Sequence, residues 1–91
     1  MNLRDLAITM ENTLVENNIS WRYVSARDSR TLVLEDGTAT VLTLRYARDL
    51  NNYLLHVTRI PETGVNLITT YYVIYCEDTL VDVINSLYFK C

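Results

Sequence analysis

Thr31-Leu32-Val33-Leu34-Glu35-Asp36-Gly37-Thr38-Ala39-Thr40-Val41-Leu42-Thr43-Leu44 decides how this chain folds. Two runs of Leu, Val and Thr flank an Asp-Gly pair. β-branched and large apolar residues suit a pleated, half-buried surface. Asp-Gly is a strong two-residue hairpin signal, because both central residues of a type I′ turn need positive φ. The stretch therefore predicts strands over Thr31–Glu35 and Thr38–Ala47, joined antiparallel by Asp36-Gly37.

The same texture continues on both sides. Trp, Tyr, Val, Ile, Thr and Leu dominate from Ser20 to Cys76, broken only by short polar punctuation. Further strands are predicted at Trp21–Ala26, Tyr53–Ile60 and Val65–Tyr75. Arg27-Asp28-Ser29-Arg30 reads as a short charged turn. Pro61-Glu62-Thr63-Gly64 puts proline where φ near −65° is wanted and glycine where the chain must reverse. The link Arg48-Asp49-Leu50-Asn51-Asn52 is long enough for a helical turn. All connections are short, so sequential antiparallel pairing is the simplest topology.

Both ends read as helices. Leu3, Leu6, Ala7, Met10 and Leu14 recur at three- and four-residue steps and form one apolar stripe. Asn2 is a natural N-cap, Asp5 suits the helix dipole, and Asn17-Asn18 suits a helix stop, giving a helix over Leu3–Asn17. Leu80, Val83, Ile84, Leu87 and Tyr88 form a second stripe, over Leu80–Phe89, with Thr79 and Asp82 resembling a capping box. The expected fold is α+β and two-layered, with N- and C-terminal helices packed on a five-stranded, mainly antiparallel meander sheet. A curl of the sheet towards a half-barrel is the alternative. Residues 1–91 make one domain. Leu14, Leu42, Leu44, Leu80, Ile84 and Leu87 are the expected core.

Composition narrows the function classes. The net charge is −3 and the pI about 4.9, so bulk attraction to nucleic acid or an anionic membrane is not expected. The longest strongly apolar stretch, Val65 to Cys76, is interrupted by Asn66, Thr69 and Thr70 and is about half a spanning length. The N-terminus has no signal-peptide pattern, so an intracellular, cytoplasmic location is expected, the host cytoplasm if the protein is viral. Cys76 and Cys91 are fifteen residues apart. A helix of about 12 residues between them rises roughly 18 Å, whereas a disulfide needs Cα atoms within about 7 Å. Both are expected as free thiols.

No catalytic, cofactor-binding or metal-binding constellation is legible, and no cofactor is expected. His56 is the lone histidine; Glu35-Asp36 and Glu77-Asp78 are adjacent pairs, which on a strand point to opposite faces and make no dyad. With only Gly37 and Gly64 there is no glycine-rich phosphate loop. What stands out is Arg and aromatic content on the strands. Seven of the eight basic residues are Arg, and interfaces favour Tyr, Trp and Arg over Lys. Apolar residues also occupy both parities of two strands: Tyr53, Leu55 and Val57 against Leu54 and Ile60, and Leu67, Tyr71 and Val73 against Ile68, Tyr72 and Ile74. A sheet with one wet face should alternate more cleanly.

These features point to a non-catalytic module that binds protein, as a homodimer, of a size that fits an accessory or inhibitor protein, viral ones included. Trp21, Arg22, Arg45, Arg48, Tyr53, Arg59, Tyr72 and Phe89 are the candidate interaction surface. The alternative reading is a small single-stranded nucleic-acid binder that stacks bases on an Arg/Tyr sheet face.

Overall fold

Antiparallel pairing organises the middle of the chain. The structure, a computed structural model, describes residues 2–37, 39–59 and 66–88, with backbone alone at 25 and 88. Its elements are α1 (Leu3–Glu16), β1 (Trp21–Ala26), β2 (Ser29–Leu34), β3 (Thr40–Ala47), β4 (Asn52–Arg59), β5 (Ile68–Ile74) and α2 (Glu77–Tyr88). The strands form one open antiparallel sheet in the order β1-β2-β3-β4-β5. The fold is thus α+β, as the periodicities predict.

Period-two alternation sets the layers. Leu42 faces Leu32 on one side and Val57 on the other, and Leu44 faces Leu55. Directly paired residues point to the same side of a sheet, so these leucines share one face with Leu34, Tyr53, Tyr72 and Ile74. On that inner face lie Leu6, Met10 and Leu14 of α1 and Leu80 and Ile84 of α2, all fully buried. Leu87, expected in the core, is only partly buried at its margin. The helices also meet each other, where Asn17 Nδ2 donates to Asn85 Oδ1 at 3.0 Å.

The ends of α1 behave as its sequence dictates. The Asn2 side chain accepts from the Asp5 N–H at 2.9 Å. Asn17 caps the other end, and Asn18 takes a left-handed φ of 59°. The start of α2 departs from expectation. The helix begins at Glu77, three residues early, with the Leu80 N–H reaching back to the Cys76 carbonyl at 3.4 Å. Thr79 therefore lies in the first turn and is no N-cap; its hydroxyl contacts Cys76 Sγ at 3.3 Å instead. Glu77 and Asp78 favour the earlier start, since negative charge suits the first turn of a helix.

The turns also differ in detail. Pairing of Ala26 with Ser29 shortens the first hairpin loop to Arg27-Asp28. The second is wider than two residues, because Glu35 donates its N–H to the Ser20 carbonyl at 2.8 Å and stays with β1. Among the described residues there, Gly37 (φ 82°) and Ala39 (φ 52°) have positive φ and Asp36 does not, so Asp36-Gly37 is not a type I′ turn. Between β3 and β4, Leu50 and Asn51 donate to Ala47 and Arg48, a single helical turn. The predicted Pro61–Gly64 turn, Ile60, Val65, Phe89 and Cys91 lie outside the described residues.

Two stability tests follow from this packing. A Cβ at Gly37 meets nothing within 4 Å, so Gly37→Ala carries only the cost of positive φ, about 1 kcal/mol. Ala39→Gly should recover a similar amount. Opposite shifts in urea midpoint are expected, and equal shifts would contradict the loop conformation. Ile84→Ala should lose about 2–5 kcal/mol, as a fully buried side chain becomes a cavity; an unchanged melting temperature would contradict its place in the core.

Candidate interaction surface

The sheet face away from the helices carries the other parity of every strand. Its middle row reads Val24, Thr31, Thr43, His56 and Tyr71 across β1 to β5. Hydroxyls pair across strands at Thr31–Thr43 (3.3 Å) and Thr58–Thr69 (3.2 Å). Arg22 and Arg45 are the charged residues of this face, and its strand positions include no carboxylate.

At the centre of this face, Arg45 and His56 lie diagonally across β3 and β4. Arg45 Nε donates to His56 Nε2 at 3.0 Å. A guanidinium can only donate, so Nε2 must hold its lone pair and the imidazole is neutral, with its proton on Nδ1. The ring also meets Tyr71 edge-on, with centroids 4.6 Å apart. Partial burial, and then the Arg45 charge, push the imidazole below its ordinary range. With Nε2 already engaged, His56 is a fixed acceptor, not a free general base.

The residues singled out by sequence fall in different places. Arg22 and Arg45 share the open face. Trp21, Tyr53 and Tyr72 point to the helix side and pack against the core, and Arg59 is also on that side. Arg48 is exposed in the β3–β4 turn. Phe89 lies outside the described residues. Of the strand aromatics, only Tyr71 projects from the open face.

The β5 edge carries the most concentrated exposed apolar surface. Leu67, Ile68, Tyr71 and Tyr75 are 65%, 55%, 61% and 68% exposed, all within nine residues. From Asn66 to Cys76 there is no Asp, Glu, Lys, Arg or Pro. Its sequence signal was the mixed parity of 67–74; the burial of Trp21 and Tyr53 had none, because period two does not say which face a helix will cover. Behind this edge, Val57 and Arg59 of β4 and Ile68, Thr70 and Tyr72 of β5 line a cleft of about 160 Å³ with Ser86 and Leu87 of α2.

At the far end of β5, Cys76 is an exposed free thiol. The Thr79 hydroxyl, then the Thr79 N–H, lower its titration. Among the described residues no cluster of His, Cys, Asp and Glu could hold a metal ion, and no helix is long and apolar enough to cross a membrane. No family model, curated protein or solved structure matches the chain.

The His56 environment gives a pH dependence of known sign. A histidine whose titration is lowered by folding binds fewer protons folded than unfolded, so stability rises with pH. Its contribution is complete above the ordinary value near 6.5 and is lost as pH falls below it. The melting temperature should therefore drop between pH 7.5 and 5.5, and His56→Gln should flatten that slope. An unchanged slope in the variant would contradict the neutral, Arg45-bonded imidazole.

Proposed function

We propose that this protein is a non-catalytic interaction module that works by binding protein and associates with itself as a homodimer. The observation that carries the reading is the exposure of Leu67, Ile68, Tyr71 and Tyr75 along one stretch of chain that holds no charged residue, with Ile68 and Tyr71 on opposite faces of the end strand β5. Exposed apolar side chains concentrated in this way mark interaction sites on small proteins. The size of the chain supports it further, since a domain of 91 residues buries a modest share of its surface and gains stability from a second copy. A free, exposed Cys76 fits a reducing, intracellular setting.

A second reading, single-stranded nucleic-acid binding, draws on Arg22, Arg45 and Tyr71 on a face whose strands carry no carboxylate. It is the weaker one. Stacking platforms need several aromatics on one surface, and Trp21, Tyr53 and Tyr72 are turned to the opposite side. Co-purifying nucleic acid, read as a high 260/280 absorbance ratio, would favour it.

Sedimentation equilibrium at micromolar concentration tests the lead reading. A species near twice 10.6 kDa is expected. A single 10.6 kDa species across the concentration range would contradict the homodimer.

A further inference from the structure

We propose that the cleft between β4, β5 and the last turn of α2 is a binding site for a small aliphatic carboxylate, held by the Arg59 guanidinium.

Arg59 is the last residue of β4 and pairs with Ile68 of β5 on the helix side of the sheet. Its side chain lines the cleft. Its Nε is buried and has no hydrogen-bond partner among the described residues. Among those residues it forms no ion pair either. Buried charged groups are normally paired, and a buried donor left unmet is costly, most of all on a cation. An unmet guanidinium donor beside open space calls for an acceptor from outside the fold.

The rest of the lining says what kind of acceptor. Val57, Ile68 and Leu87 are aliphatic. Thr70 and Tyr72 add hydroxyls that make no hydrogen bond among the described residues. Ser86 Oγ already donates to the Val83 carbonyl at 2.7 Å, so its proton is spent. One guanidinium and two hydroxyls among aliphatic walls suit a ligand with a polar head and an apolar tail.

Size and charge narrow the ligand further. The cleft of about 160 Å³ holds about five or six non-hydrogen atoms, at roughly 30 Å³ for each water displaced. That is the size of a carboxylate with a chain of about four carbons. The planar fork of arginine matches a carboxylate with two parallel hydrogen bonds. The last turn of α2 adds about half a negative charge nearby. Asp82, one turn before Ser86, is exposed, where water screens it. A single guanidinium can therefore balance one negative charge here, which favours a monoanion over a phosphate dianion.

Titration of the full chain with sodium butyrate, followed by amide chemical shifts, provides the test. Saturable shifts at Arg59, Thr70 and Leu87 are expected, with a dissociation constant of about 1–10 mM. Butyramide has the same shape without the charge and should bind roughly tenfold more weakly or worse. Arg59→Gln, with its fold verified by circular dichroism, should weaken butyrate by a similar factor. Arg45→Gln, on the opposite face of the sheet, should bind butyrate as wild type does. Butyramide that matches butyrate on the wild-type chain, where folding is not in question, would overturn recognition by Arg59 and leave an apolar cleft. Inorganic phosphate that binds more tightly than butyrate would overturn the carboxylate as ligand. Shifts that rise linearly without saturating would overturn the site itself.

Discussion

The register between β3 and β4 governs the rest of the molecule. Leu42 opposite Val57 and Leu44 opposite Leu55 make an apolar square at the middle of the sheet. Met10, Leu14, Leu80 and Ile84 pack in the same core. A slip of one residue would turn Thr43 and His56 under the helices and send the leucines to water, because the side-chain period in a strand is two. With that register fixed, β5 can join only at the free side of β4, and it brings Ile74 and Tyr72 inward. Tyr71 and Thr69 are then exposed by geometry and not by choice of residue type.

Charge is sorted by layer in the same way. The strands carry Arg22, Arg30, Arg45 and Arg59 and no carboxylate, while α1 and α2 carry Asp5, Glu11, Glu16, Glu77, Asp78 and Asp82 against Arg4 alone. Long arginine stems cover apolar strand surface while their heads stay wet. The acidic balance of the chain therefore describes its helices and loops more than its sheet. On the open face the Arg45–His56 bond holds the imidazole neutral, so the face carries less positive charge at neutral pH than its residues could supply.

Much of this architecture is legible in the sequence, for identifiable reasons. The stripes of α1 and α2 and the alternation of β3 give the element types, their order and most of the core, because burial imposes a period that the chain must obey. The boundaries that sequence misplaces are those where tertiary contacts win. Glu35 stays bonded to Ser20, which widens the Asp36-Gly37 turn, and acidic residues in the first turn start α2 at Glu77 and not Leu80. The candidate surface is less legible. Trp21, Arg22, Tyr53 and Arg59 look alike in a sequence reading of arginine and aromatic content. They separate only when the side of the sheet beneath the helices is known. The apolar excess at both parities of 67–74 was visible, but its meaning depends on β5 being an end strand.

Cross-strand nuclear Overhauser effects test the register of β3 and β4 most directly. Directly opposed residues of an antiparallel pair lie about 4.5–5.5 Å apart at Cα. Contacts linking Leu42 with Val57 and Leu44 with Leu55 are expected. Contacts displaced by one residue, linking Leu42 with His56 or Thr58 as its direct partner, would contradict the account.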